Sequence, residues 1–314
     1  MNVGQPPLLR RLNETAVLEA LRKSGPMSRA ELSRQLSLSK STISQVVAEL
    51  LRRGLVREVA TERPRRAGRT ATLLDIAPEA GFVAGADIGG TLVRVAVADL
   101  KGETRARLSA STAREGLAAL VDQLADMVHQ AMAQAGTAPG RLLAAGVGVP
   151  GAVDTATGAV RLCPNLSFLD GVTLGSLLEE RLRCGVVVDN DVNLGAIGEK
   201  WRGCADRATN FAYMAVGTGV GMGVVLDAAL YRGTHGFAGE VGYLPVPVGE
   251  GHRQLEEIVA GPAIARAYLE HRGSAEVDGT GARRVPLGSG SSLGVSESVD
   301  ARQVFDLARQ GDPV

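Results

Sequence analysis

Apolar residues recur along the chain in two periods, and the change from one to the other divides it. From residue 13 to about residue 53 they fall at helical spacing. Asn13 reads as an N-cap ahead of Val17, Leu18 and Leu21, and Gly25-Pro26 ends that helix. Ser28 opens the next with Glu31 three residues on, a capping box, and turns Leu32 and Leu36 inward. After the short Ser37-Leu38 turn, Ser39 caps a longer helix to about Arg53. Its apolar face is Ile43, Val46, Val47, Leu50 and Leu51, and Gly54 closes it. Residues 55–59 and 71–76 then read as two strands.

Beyond a hinge at residues 78–81 the pattern becomes strand alternating with helix. Residues 82–86 form an apolar strand, Val93, Val95 and Val97 a second, and residues 103–108 a third. A surface helix is expected over 116–135, a buried strand over 142–149, a helix over 174–182, and a strand over 186–188 leading into a helix through Glu199. Residues 211–230 repeat the design of 82–99: apolar strand, glycine-threonine loop, apolar strand, Asp-led turn. An offset of 129 residues sets Gly90 against Gly219. Self-similarity of this kind marks a duplicated supersecondary unit. The fold class is α/β, with a domain at 1–77, a larger one at 78–314, and a second lobe of the latter from about residue 192. Glycine- and serine-rich residues 273–298 read as a loop before a last helix at 300–310.

Composition adds little until charge is mapped. At 45% hydrophobic and 22% charged, 314 residues make ordinary globular domains with a core of aliphatic side chains. No run reaches the roughly 18 apolar residues of a membrane span. The N-terminus has no apolar signal core, and Cys163, Cys184 and Cys204 lack paired spacing. A cytoplasmic protein with reduced thiols and no membrane partner is expected. Net charge is zero, yet residues 1–70 hold 14 Lys+Arg against 6 Asp+Glu, leaving the remainder with 20 against 28. That is a head of +8 on a body of −8, which suits a polyanion partner at the head alone.

Two capped helices across a short turn, the second polar at its start, make a helix-turn-helix. The second helix would present Lys40, Ser41, Thr42, Ser44 and Gln45 to base edges and phosphates. The loop between the two wing strands carries Arg63, Arg65, Arg66 and Arg69, suited to phosphates or a minor groove. The competing reading is a small helical interaction domain with a solvated basic loop; charge, caps and wing together favour duplex DNA.

In the body, Asp87-Ile88-Gly89-Gly90-Thr91 lies between two strands. Its glycines bare a row of amides for phosphate, Thr91 adds a hydroxyl, and Asp87 suits a hydrated Mg²⁺. An ordinary glycine hairpin is the alternative, which the second copy at Gly217-Thr218-Gly219 makes weaker. Asp189-Asn190-Asp191-Val192-Asn193 gathers donors and acceptors at a strand end, as a polyhydroxylated ligand requires, and a carboxylate there can accept a proton in phosphoryl transfer. Asx capping of the following helix competes for some of them.

With DIGGT at 87–91, GVGVPG at 146–151, Pro164-Asn165-Leu166, DNDVN at 189–193, GTGVG at 217–221 and RGTHGFAGEVGY at 232–243, the chain resembles the ROK family of sugar kinases and sugar-responsive regulators. The form is that of a regulator with a winged head, and the resemblance runs from Leu12 to the end. It implies a two-lobed, actin-like (ribonuclease H-like) ATPase body. Asn165, Asn190, Asp191, Glu240 and Glu256 would contact sugar, Asp191 would be the base in a kinase, and Asp87, Gly89, Gly90, Thr91, Gly217, Thr218 and Gly219 would hold phosphates.

Two departures stand out. The family's structural zinc uses a His, which also contacts sugar, and three Cys; here Tyr243 takes the His position and its sugar-binding place, and Pro247, Gly249 and Gln254 stand where thiolates would, so no zinc is expected. In the family a further stretch completes the second lobe and cradles adenosine, so that lobe is read as incomplete. The expected function is a sequence-specific regulator, a repressor on family grounds, acting as a homodimer or homotetramer on an operator and answering to a sugar or sugar phosphate. No catalytic residue is then required. An ATP- and Mg²⁺-dependent sugar kinase is the alternative, with Asp191 as base, and a remnant with neither activity is a third reading.

Overall fold

The head folds around side chains drawn from every one of its helices. In the computed structural model, which describes residues 7–59, 72–275 and 300–310, Val17, Leu32, Ile43, Val47, Leu50 and Leu74 have no exposed surface. They come from α1 (Pro7–Ser24), α2 (Arg29–Leu36), α3 (Lys40–Arg52) and the strand β3 (Leu73–Ile76). Both predicted caps form. The Ser28 hydroxyl accepts from Glu31 N while Glu31 accepts from Ser28 N, and the Ser39 hydroxyl accepts from Thr42 N. Gly25 and Gly54 stop their helices at φ of 76° and 69°, where a side chain would strain the backbone.

Two details differ from the sequence expectation. Helix α1 starts at Pro7 and carries Asn13 in its interior. Proline suits a first helical turn, the following leucines and arginines favour helix, and Arg10 pairs with Glu14 at 3.4 Å, so the capping preference of Asn13 is overridden. The wing is also a three-stranded sheet. Strand β1 (Met27–Ser28) pairs antiparallel with β3, and β3 with β2 (Val56–Val59). The loop bearing Arg63, Arg65, Arg66 and Arg69 lies outside the described residues, as do the glycine- and serine-rich 276–299 and Gly311.

The chain forms two compact units. One comprises residues 1–151 and 158–189, the other 152–157 and 190–314. In the first unit, β4 (Phe82–Ile88), β5 (Leu92–Asp99) and β6 (Thr104–Ser111) run antiparallel, β7 (Leu142–Val149) lies parallel to β4, and β10 (Gly185–Asn190) flanks β7. Alternation decides the buried face: Ala84, Ala86, Ile88, Val93, Val95 and Val97 point one way. Helix α4 (Leu117–Gln134) covers β5 and β6 with Leu120, Leu124, Val128 and Met132, and α5 (Leu174–Leu182) packs against α4. Short strands β8 (Ala152–Val153) and β9 (Val160–Arg161) intervene.

The turn from β5 to β6 joins the head to this sheet. Leu100 packs against the head core, its N–H donates to Pro78 O at 3.3 Å, and the Lys101 ammonium meets the buried Asp75 carboxylate on β3. Asp99 fixes the turn itself. Its side chain is 1% exposed; Oδ1 accepts from Lys101 N at 2.8 Å and Glu103 N at 3.1 Å, and Oδ2 from Arg105 Nε at 2.8 Å.

The second unit repeats the antiparallel triple. Strands β11 (Phe211–Val216), β12 (Val220–Leu226) and β13 (Ala229–Tyr231) are covered by α6 (Asp191–Arg202). Close approach needs two glycines. A Cβ on Gly223 would stand 2.6 Å from Ala196 Cβ, and one on Gly221 2.8 Å from Val192. Then follow the hairpin β14 (Pro245–Val248)/β15 (Gly251–Gln254), α7 (Glu256–Val259), α8 (Gly261–Ala275) and α9 (Ala301–Arg309). Among the described residues no helix is long and apolar enough to cross a membrane.

Candidate functional site

Amphipathicity of α3 settles which of its side chains remain outward. Ile43, Val46, Val47 and Leu50 are buried, while Lys40, Ser41, Ser44 and Gln45 are exposed and Thr42 is half-buried. The Ser39 hydroxyl also lies 2.8 Å from those of Ser41 and Thr42, which orders the first turn of the helix. The five residues therefore form one polar end, on a helix held by a core on its other side. Such an end can enter a major groove N-terminus first.

In the first unit the loop after β4 is closed by its own backbone. Gly89 N donates to Leu92 O at 2.9 Å, Thr112 Oγ1 to Gly89 O at 2.7 Å, and Thr112 N to Thr91 O at 2.9 Å. The amide of Gly89 thus shapes the loop, leaving Gly90 and Thr91 to present donors. Gly90 is needed for contact: a Cβ there would stand 3.3 Å from Asn165 Cβ, which places the predicted sugar residue Asn165 beside the loop. Asp87 sits within the strand, and its Oδ2 accepts from Arg94 at 3.1 Å. A cation at Asp87 would have to compete with that guanidinium.

The equivalent loop of the second unit is built alike. Gly217 N donates to Gly219 O at 2.9 Å and Gly217 O accepts from Gly261 N at 2.8 Å, so Gly217 holds the turn and Thr218 stands at its tip. Within the DNDVN stretch, the Asn190 side-chain oxygen accepts from Val192 N at 3.0 Å and Asn193 N at 3.1 Å, the capping role that competed with ligand binding. Asp191 Oδ1 accepts from Val192 N at 2.9 Å.

Three predicted carboxylates meet in this unit. Glu240, which precedes the 3-10 turn Val241–Tyr243, is pushed above the ordinary glutamate range first by burial, then by the negative charges of Asp191 and Glu256. Glu256 is seated by glycines: its Oε2 lies 3.0 Å from a Cβ built on Gly219 and 3.1 Å from one on Gly242. Tyr243 N donates to Glu240 O at 3.4 Å, keeping the exposed tyrosine next to the cluster. Half-buried carboxylates held apart by backbone suit ligand hydroxyls, which would replace the lost water.

A raised folded-state pKa means that folding binds a proton, so ionisation of Glu240 opposes folding above the ordinary glutamate pKa of about 4.3. Replacing Glu240 with Gln is expected to raise the thermal midpoint at pH 7, and the gain should vanish as pH falls below about 4. Melting curves of both proteins across that range check it; an equal or lower midpoint for the variant at pH 7 would show that the cluster carries no such penalty.

Arg253 and Arg266 also stand near Thr218 and Glu256, and nothing in the sequence singles them out. Neither belongs to a motif, and α7 brings them together, since both donate to the Glu257 carbonyl.

Comparison with known proteins identifies the family. The ROK family model matches residues 83–314, and a MarR family model matches residues 10–67. The xylose repressor of Caldicellulosiruptor bescii is 32% identical over 78% of this chain and 61% of its own length. The chain thus spans about three fifths of that relative. The glucokinase of Thermotoga maritima is 30% identical over 73% of this chain and 70% of its own. Among solved structures, a ROK family transcriptional regulator described as a homolog of the E. coli MLC protein superposes with a TM-score of 0.75. It covers 97% of this chain and 75% of its own length at 22% identity, and so speaks for the fold. Glycine loops in duplicate, the Asx-capped α6 and a family match over both units have one explanation: the chain belongs to the ROK family.

Proposed function

We propose that the chain is a sequence-specific DNA-binding transcriptional repressor of genes for sugar uptake or use, and that its body answers to a sugar or sugar phosphate. The observation that carries this reading is the exposed polar end of α3 on a capped helix-turn-helix, joined to a ROK body. The likeness to proteins named xylose repressor supports it. A homodimer or homotetramer in the cytoplasm fits, because one winged head buries a small interface and two half-sites raise affinity and specificity. Neither zinc nor catalysis is needed for this role.

Sequencing of genomic fragments captured by the purified protein at roughly 50 and 200 mM salt tests the reading, since phosphate attraction alone fades steeply over that interval. An inverted repeat retained at the higher salt is the expected result; capture that disappears with no shared motif is the result against it. On the recovered site, Gln45→Ala is expected to cost about 1–3 kcal/mol of binding and to relax preference at one base pair. Lys40→Ala should weaken all sequences alike and flatten the salt dependence.

The kinase reading keeps two observations in its favour, the nearness of Asp191 to Glu240 and 30% identity to a glucokinase. ATP-dependent phosphorylation of a hexose, abolished by Asp191→Asn, would establish it.

A further inference from the structure

Strand β11 has the composition of an interior strand and the position of an edge. In the internal repeat it corresponds to β4, which is paired on both sides, with β5 and with β7. Among the described residues β11 pairs with β12 alone, so its other side offers a row of backbone donors and acceptors.

Folded proteins guard such edges with charge, proline, a bulge, short length or a cover. The other outer strands of the two larger sheets are guarded in these ways. Strand β6 carries Arg105 and Arg107, β13 has three residues, and at β10 the Val186 N–H is taken by the Glu179 carboxylate at 3.0 Å. The six residues of β11, FAYMAV, include no charge and no proline, and their register with β12 runs without a bulge.

The two faces of the strand differ. Tyr213 lies against α6, where a Cβ on Gly195 would stand 2.7 Å from its ring. Ala212, Met214 and Val216 point the other way and are exposed, Met214 by 58% and Val216 by 56%. They lie opposite Val224, Met222 and Val220 of β12, which continue the apolar row inward. An extended segment added at this edge would gain ladder bonds and apolar cross-strand pairs together.

A second β11 is such a segment. Antiparallel pairing about a twofold axis at Met214 sets Met214 against its own copy and Ala212 against Val216. All three side chains then share one face in register. No like charges meet, because the strand has none. The contact is isologous and consumes the edge of both copies, so assembly closes at two.

We propose that β11 pairs with β11 of a second copy of this chain, joining the two three-stranded sheets into one continuous sheet. This names the interface of the homodimer proposed above and rests on that reading.

Sedimentation velocity of the full-length chain over about 1–100 µM tests it. The expected result is a concentration-dependent rise to twice the 32.6 kDa of the single chain. Met214→Lys and Met214→Glu should each weaken dimerisation about tenfold or more, since like charges then face each other across the axis. An equimolar mixture of the two should recover the dimer, because lysine meets glutamate. Leu226→Lys alters the same face on the central strand β12 and should leave the dimer intact. Loss of the dimer in that variant would mean stacking of faces and would overturn edge pairing, as would a mixture that fails to recover. A dimer untouched by Met214→Lys overturns the inference and leaves the homodimer reading standing. Sedimentation of the unaltered protein as a single chain throughout overturns both.

Discussion

Replacing Gly239 with alanine is expected to destabilise the second unit strongly. Gly239 holds φ at 93°, and a Cβ there would come within 1.6 Å of the carbonyl oxygen of Met222. That oxygen belongs to the central strand β12, and Met222 N donates to Gly239 O at 2.9 Å, so neither backbone can withdraw without breaking the contact. Positive φ costs a non-glycine residue about 1–2 kcal/mol, and overpacking against immobile atoms adds about 1–3 more. Against a typical domain stability of about 5–15 kcal/mol, a sum of about 2–5 kcal/mol is a large loss. Gly85→Ala is the control, because nothing lies within 4 Å of its added Cβ. It should change stability by less than about 0.5 kcal/mol. Urea unfolding followed by limited proteolysis distinguishes the units; a Gly239→Ala protein that unfolds with the parent would mean that the segment between the sugar residues and β12 is free to move.

The second large effect is expected at Asp99, far from any ligand. Asp99→Ala removes the acceptor of Lys101 N, Glu103 N and Arg105 Nε at a position with 1% exposure. Loss of a shared acceptor by two partly buried amides costs about 1–3 kcal/mol together, with Arg105 able to turn to water. Leu100 lies inside the loosened turn and packs on the head core, so operator affinity should fall although no DNA-facing side chain has changed. Asp99→Asn keeps an acceptor oxygen for the amides and should lose about half as much. Denaturant titration of both variants, paired with operator binding, is the measurement; a stable Asp99→Ala protein with weakened operator binding would separate the turn's role in the head from its role in the sheet.

Features set by near neighbours are legible in the amino-acid sequence itself. Ser28 with Glu31, Ser39 with Thr42 and the glycines at 25 and 54 act within one helical turn, so local composition reveals them. The repeat at 82–99 and 211–230 is legible because alternation and loop composition travel together. What escapes depends on distant partners. Strand β1 has two residues and owes its existence to β3, which comes from far along the chain. Asn13 resembles a cap because its side chain favours that role locally, whereas the residues upstream extend the helix past it. Gly221 reads as the end of the GTGVG stretch, yet both it and Gly223 are kept bare by α6 lying on β12. DNDVN has a dual character in sequence, and the fold gives Asn190 the cap and Asp191 a place near Glu240. The pairing of Arg253 with Arg266 is a tertiary event with no sequence period at all.

The Leu100 turn bears on how such heads can be exchanged between proteins. A boundary drawn at residue 77 looks natural from the strand pattern, yet part of the hydrophobic seal of the head is supplied from residue 100, and the buried Asp75 is answered by Lys101. A head transplanted to another body at that boundary arrives with a hole in its underside and an unanswered carboxylate. Exchange should succeed only when the recipient's own β-turn presents an aliphatic residue followed by a cation. Compatibility of reader and receiver is thus written in two adjacent residues of the receiver, and shuffling of operator preferences among relatives is constrained there before any DNA is met.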